Sequence, residues 1–382
     1  MSCEVPLATA VAERIGEPHG LLTFTRQDAS GRQEQAESMS ICDHAEALHR
    51  IVESLTDPDK GVIRDKAEIS AVGHRVVHGG ERFQLPVLVD EEVIRAIREN
   101  SRLAPLHNPS NLTGIEIARL VFPESPQVAV FDTAFHQTMP PKAFLYAIPY
   151  EFYEEHGIRR YGFHGTSHAY VAEAAAEFLG QPLDELTLIT AHLGNGASMA
   201  AIRGGCCIDS TMGLTPLAGL MMGTRPGDID PGLPGFLVEH LNLTFKEVGH
   251  ILNHESGLKG ICGTNDMREI VRREANGDQN AKLALEMYAY RFKKHLGALF
   301  GVLGSLDALV LTAGIGENVP RMRELCCSGL AHFGIVLDEE LNQERSGIVA
   351  EISSAASLVR VLVVPTNEEL MIARETMKVL VA

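Results

Sequence analysis

The stretch ELTLITAHLGNG, residues 185–196, decides the reading of the fold. Its first half is an apolar run bounded by charge before it and by glycine after it, the pattern of a buried strand. It ends on His192, Asn195 and two glycines, Gly194 and Gly196. DALVLTAGIGEN, residues 307–318, repeats the plan: an apolar strand, a G-x-G turn, then Glu317 and Asn318. Between them, AKLALEMYAYRFKKHLGALFGVL (281–303) sets Leu285, Tyr288, Phe292, Leu296 and Leu299 at helical spacing, which predicts a long amphipathic helix.

Residues 39–55 and 368–380 also read as helical. EISAVGHRVV and QVAVFDTAF read as short strands that each reach a polar residue at the end. Alternating strands and helices predict an α/β architecture. Two G-x-G turns far apart suggest a duplicated domain, with two strand-turn-helix units facing one ligand.

Bulk composition sets the frame. A chain of 382 residues is long for one core, so two domains are expected. Apolar content of 45% and charged content of 22% belong to a globular protein. A net charge of −17 argues against nucleic-acid binding, while leaving room for a local basic pocket. Seven cysteines with no C-x-x-C read as reduced thiols in a cytosolic protein rather than a disulfide framework or zinc site. MSCEVPLATAVAERIG carries no basic n-region or long apolar run, so neither a signal peptide nor a membrane span is expected. The sequons at Asn111 and Asn242 are then chance matches.

Glycines placed straight after a buried strand let backbone N–H groups approach an anion, as in AHLGNGAS (191–198) and TAGIGENVP (312–320). A tight turn is the alternative for each. Neither is a Walker A loop, because the chain has no G-K dipeptide. Neither completes G-x-G-x-x-G, because Met199 and Val319 stand at the third position.

YGFHGTSH (161–168) holds His164 and His168 in a turn rich in small residues, without the glutamate of a zinc helix. MMGTRPGDIDPG (221–232) carries Arg225, suited to a bidentate anion contact or to pairing with Asp228 or Asp230. VFDTAFHQ (130–137) leaves Asp132 at a strand end, where α/β proteins put ligand groups. LAPLHNP (103–109) places His107 between prolines. PTNEEL (365–370) opens the last helix with Asn367, Glu368 and Glu369, whose plain reading is a capped first turn. GHRVVHGGE (73–81) sets Arg75 in an apolar strand that ends on paired glycines. Together these supply arginines for anions, glycine turns for phosphates, carboxylates for a metal and a positioned histidine. Phosphoryl transfer needs that kit, because its catalysis is positioning and charge neutralisation.

GHRVVHGGE, LAPLHNP, FDTAFHQTMP, YGFHGTSH, HLGNGAS, MGTRPGDIDPG, TAGIGEN and PTNEEL, in this order, resemble the acetate kinase family from about residue 6 onward. The resemblance implies two duplicated ribonuclease H-like domains of the actin/Hsp70/sugar kinase type, with a nucleotide cleft between them. It suggests a first domain of residues 1–133 plus 369–382 and a second of 134–368. It implies reversible phosphorylation of acetate by ATP, with Mg2+ or Mn2+, in a cytoplasmic homodimer. Propionate as acceptor and a non-catalytic nucleotide-binding member are the alternatives. No nucleic acid or membrane partner is expected.

Residue by residue, Arg75 matches the arginine that contacts the carboxylate or the transferred phosphoryl group. Asp132 matches an active-site aspartate, and His164 and Arg225 the pair that stabilises the transition state. His192, Leu193, Gly194, Asn195 and Gly196 match one nucleotide-binding segment. Asp266, Met267 and Arg268 match a second, and Gly314, Ile315, Gly316, Glu317 and Asn318 a third. Glu368 matches a magnesium-linked glutamate. Val76, Leu106 and Pro216 are expected to line an acyl pocket.

Family members open with a strand and an N-A-G-S-S-S phosphate loop that ends in a lysine and an aromatic. MSCEVPLATAVAERIG instead resembles the family's third strand. The resemblance therefore implies a missing first hairpin, with its magnesium-linked asparagine and ATP-linked lysine. A start codon called too late is the preferred origin. Little or no kinase activity and reduced stability are the expected consequences.

Overall fold

The structure, a computed structural model, describes residues 5–28, 31–105, 107–344 and 347–381. The chain divides into two units. One comprises Met1–Gly79, Leu85–Phe131 and Ile372–Ala382; the other comprises Gly80–Gln84 and Asp132–Met371.

The first unit holds two three-stranded sheets. β1 (Ala8–Glu13), β2 (Gly20–Asp28) and β3 (Gly31–Met39) form an antiparallel meander. Period two turns Leu22 and Phe24 of β2 inward, and Leu22 joins a small core with Ile41 and with Ala47 of the helix His44–Thr56. Asp43 starts that helix by accepting the Glu46 N–H at 2.9 Å. The other sheet has the order β4–β6–β5, from β4 (Val72–Val76), β5 (Val87–Leu88) and β6 (Gln127–Phe131). β4 and β6 are parallel, with Arg75 opposite Val130. Gly73 is obligatory in β4: a Cβ there would lie 2.4 Å from Thr376 Oγ1 and 2.7 Å from Ile372 Cγ2 of the closing helix, Glu368–Val381.

The second unit is built on one six-stranded sheet of β7 (Thr187–Leu193), β8 (Ala197–Arg203), β9 (Cys206–Ser210), β10 (Ala308–Thr312), β11 (Ala350–Glu351) and β12 (Arg360–Val363). Its order is β11–β12–β10–β7–β8–β9, with β12, β10 and β7 parallel. β7 and β10 are buried at every residue, which is why their sequences are unbroken apolar runs. The helix Gly165–Leu179 packs Val171, Ala172 and Ala175 against Leu188, Ala200 and Ile202. The long helix Gln279–Leu303 also packs on β7, β8 and β9. It buries Leu285, Tyr288, Phe292, Leu296 and Leu299, the stripe that the spacing predicts.

All six described cysteines are free. Cys42 and Cys206 are exposed, whereas Cys207, Cys262, Cys326 and Cys327 are buried. Among the described residues, no helix is long and apolar enough to cross a membrane.

Candidate active site

In the second unit the site is built around the start of the helix Gly165–Leu179. Asp132, which follows β6 directly, is 1% exposed. Its main-chain oxygen accepts the Gly165 N–H at 2.9 Å, and its Oδ1 accepts the Thr166 hydroxyl at 3.2 Å. A first helical turn offers N–H groups with no intrahelical partner and favours negative charge nearby. The approach admits glycine alone, because a Cβ on Gly165 would stand 2.2 Å from the Asp132 oxygen.

His164 precedes that helix at φ 57° and ψ 26°. This left-handed conformation costs a non-glycine residue roughly 1–3 kcal/mol, and such strain is concentrated at functional sites. Period two sets Thr190 and His192 on one face of β7, and Ser198 of β8 stands opposite His192. That face receives the helix. Ser198 Oγ lies 2.8 Å from His164 Nδ1 and 2.8 Å from His168 Nε2, and His168 Nδ1 lies 2.7 Å from Thr190 Oγ1. Complete burial, with His136 and His192 nearby, holds His168 well below the usual histidine range. The His164 and His192 rings stack at 4.2 Å and 18°. His192 Nδ1 meets Ser167 Oγ at 2.8 Å, and Ser167 Oγ meets Thr366 Oγ1 at 2.8 Å.

The turn after β7 is fixed on both sides. The Gly194 N–H donates to the Gly196 oxygen at 2.9 Å. The Asn195 oxygen accepts the Gly223 N–H at 2.9 Å, and Asn195 Oδ1 accepts from Asn265 Nδ2 at 2.9 Å. Arg225 lies in the strap thus clamped. Its Nη1 donates to the Pro216 oxygen at 3.2 Å. The pairing with Asp228 or Asp230 that the sequence leaves open does not occur: Asp228 takes the Gly219 N–H and Asp230 the Gly232 N–H, each at 2.7 Å. Half-burial pulls the Arg225 pKa down. A Cβ placed on Gly196 would sit 3.3 Å from His164 Nε2 and 3.6 Å from Arg225 Nη1, so both side chains converge on the space beside this glycine.

The other two segments expected to bind nucleotide border a common cavity. Asp266 opens the helix Met267–Ala275 and takes both Nε and Nη2 of Arg268, at 3.1 and 2.9 Å. The Arg268 guanidinium pushes Asp266 down to about 2. Residues 313–318 are not the G-x-G turn expected from sequence; they form a short helix, Ala313–Asn318. Ala313 enters it at φ 63°, and Arg323, only 2% exposed, holds its far end by donating to the Gly316 and Glu317 oxygens at 3.0 and 2.9 Å. Glu317 Oε1 in turn accepts the Thr366 N–H at 3.1 Å. Arg268, Val271, Asn318, Val319, Pro320 and Arg321 line a cavity of about 320 Å³.

Glu368 is half-buried at the first position of the closing helix, where Asn367 Oδ1 accepts the Leu370 N–H at 2.9 Å; Glu369 is exposed. Arg75 stands in the first unit, exposed on β4. Just beyond it, the Asn108 side chain bonds both the N–H and the C=O of His78, at 3.1 and 2.9 Å. Burial takes the His78 imidazole down to about 4. Val76 is buried, Pro216 is half-buried, and Leu106 lies outside the described residues.

Sequence reasoning missed the parts played by Thr190, Ser198 and Arg323. The period-two pairing of Thr190 and His192 on an apolar strand was the available signal for the first two. Arg323 left none.

Strands β7, β8, β9, β10 and β12, numbered one to five, run 3-2-1-4-5 across the sheet. With glycines behind strands one and four, and an arginine and a histidine converging on one of them, this is a ribonuclease H-like phosphotransferase of the actin/Hsp70/sugar kinase type. Residues 1–374 match the family model described as the Acetokinase family, and the chain belongs to that family.

An acetate kinase of Nitratidesulfovibrio vulgaris (strain DP4) is 54% identical over 381 residues, covering 100% of this chain and 95% of its own. The crystal structure of Porphyromonas gingivalis acetate kinase is 45% identical, with a TM-score of 0.91 over 98% of this chain and 93% of that one. A propionate kinase from Francisella tularensis is 42% identical, with a TM-score of 0.88 over 97% of this chain and 93% of that one. The expected loss of activity through a missing hairpin is not borne out, since 95% of the first relative's length is matched.

Proposed function

We propose that the chain transfers the γ-phosphoryl group of ATP directly and in line to a carboxylate oxygen of acetate, and runs the reverse reaction by the same path. Acetate kinase activity follows from membership of the family. The carboxylate oxygen forms its bond to phosphorus as the bridging oxygen of the β-phosphate leaves with its electron pair, giving acetyl phosphate and ADP.

Acetate is ionised at neutral pH, so no general base is needed. The barrier is the approach of an anion to a polyanion. The observation that carries the reading is the convergence of Arg225 and His164 beside Gly196, with the guanidinium matched by carbonyl oxygen rather than carboxylate. Such donors act on charge that develops in the transition state. Arg75 is assigned to the carboxylate or the transferred group. Asp132 is held by Thr166 as an orienting group rather than a proton acceptor.

Residues 192–196, 266–268 and 314–318 are assigned to the nucleotide. The cavity bordered by Arg268 and Asn318 has the size and lining for its base and ribose. Among the described residues, no group of three or more His, Cys, Asp or Glu side chains could hold a metal alone. That suits Mg2+, which is held by one or two carboxylates together with substrate phosphates. Glu368 and Asp132 would hold it, and Mn2+ would serve in its place; the ion neutralises phosphate charge. Val76 and Pro216 are assigned to the acyl pocket. A cytoplasmic homodimer completes the proposal.

The test is acetyl phosphate formation from ATP with stereochemically labelled γ-phosphate. Inversion at phosphorus is expected. Retention, or a phosphorylated residue formed as fast as product, would overturn direct transfer.

A further inference from the structure

The hydrogen bonds from Thr190 to His164 form a single file: Thr190 Oγ1, His168 Nδ1 and Nε2, Ser198 Oγ, His164 Nδ1. Each hydroxyl has one proton to donate, and a neutral imidazole has one N–H. Ser198 is fully buried between the two rings and its hydroxyl must spend its one proton on one of them, so the file runs wholly toward His164 or wholly away from it. Two observations choose the direction. Thr190 is fully buried, and His168 Nδ1 is the partner of its hydroxyl among the described residues. Run away from His164, the file would make Thr190 an acceptor and leave a buried O–H unpaired, an arrangement that folded proteins avoid. Run toward His164, every proton has a partner: Thr190 donates to His168 Nδ1, His168 Nε2–H to Ser198, and the Ser198 hydroxyl to His164 Nδ1.

We infer that Ser198, fed through His168 from Thr190, is a positioning residue that keeps the proton of His164 on Nε2. That nitrogen faces the space beside Gly196 where Arg225 also points, so a neutral imidazole presents a donor, not a lone pair, to the transferring phosphoryl group. The low pKa of His168 serves the same end, because a neutral ring conducts one direction only. His136, His192 and Arg225 are ionisable groups that stand near this file. The inference rests on the assignment of His164 to the transferred group.

The test is two-bond proton–nitrogen correlation NMR on the whole enzyme labelled with 15N-histidine, using His164→Asn to assign the signal. At neutral pH, His164 Nδ1 is expected in the unprotonated range and Nε2 in the protonated range. A protonated Nδ1 overturns the inference, whatever the enzyme's activity. In Ser198→Ala, kcat is expected to fall roughly tenfold or more, as when partners that orient a working histidine are lost. KM for ATP should stay within about twofold, and the tautomer signal should mix. Thr190→Val should show a weaker form of both changes, and Thr190→Ser should restore both. Full kcat in Ser198→Ala with an unchanged signal also overturns the inference. An inactive parent enzyme with the expected tautomer would instead discard the assigned function while the hydrogen-bond direction stands.

Discussion

The main-chain oxygen of Asp132 lies 2.2 Å from where a Cβ on Gly165 would stand, and it accepts the Gly165 N–H at 2.9 Å. A strand end and a helix start are thus fused through one glycine. Gly165→Ala should cost about 1–3 kcal/mol through forced separation. It should also lower kcat, because His164 moves with the helix start. Urea unfolding and acetyl phosphate assays read the two effects; a variant with wild-type midpoint and rate would refute the fusion.

Arg225 donates to a carbonyl rather than to a carboxylate. Removing it takes away a half-buried charge without orphaning an opposite one, so Arg225→Gln should leave stability unchanged within about 0.5 kcal/mol. Its kcat should fall roughly 100-fold to 1,000-fold, the range for loss of one donor to transition-state charge. Lysine at this position should rescue little, because a fork and a point charge differ. A large drop in the unfolding midpoint with kcat retained would make Arg225 a structural residue.

Arg323 props the end of the helix Ala313–Asn318 and reaches no substrate assigned here. Asn342 Oδ1 also accepts from its Nε at 2.8 Å, and burial pulls its pKa down to about 10. Arg323→Met should loosen that helix and raise KM for ATP several-fold while KM for acetate stays fixed. Equal rises in both would show that the helix does not belong to the nucleotide.

The buried histidines set a pH limit on stability. Desolvation takes His78 and His136 each down to about 4. Unfolded, each binds its proton near the ordinary value of about 6.5, so the unfolded state holds more protons between these limits. Stability from these groups is therefore complete above about pH 6.5 and is lost as pH falls toward 4, by up to about 1.4 kcal/mol per pH unit for each. His136→Gln should flatten the pH slope of the urea midpoint whatever it does to its level. An unchanged slope would show that His136 does not supply it.

Much of this was legible before the structure. The runs at 187–193 and 308–312 announced buried parallel strands because a strand covered on both faces needs no polar alternation. Helical spacing placed the long helix within a few residues of Gln279–Leu303. Two things were not legible. The helical turn at 313–318 looked like a glycine turn, because its support comes from Arg323, which follows it and leaves no local pattern. The order Thr190, His168, Ser198, His164 exists only once β7, β8 and the face of the preceding helix, Gly165–Leu179, are stacked; in sequence its members are scattered and each is ordinary.

The thiols have a practical consequence. Burial lifts Cys207 and Cys326 well above the usual thiol range and Cys327 up to about 12, so all three stay protonated and shielded from alkylating reagents. Cys42 and Cys206 are the exposed pair among the described cysteines, and they fall one in each unit. Glu46 raises Cys42, which slows its reaction with thiol reagents at neutral pH. Among the described cysteines the chain thus offers two attachment points of unequal reactivity. A donor dye and an acceptor dye, or two spin labels, can be placed in succession to follow both bodies of the enzyme through its turnover cycle.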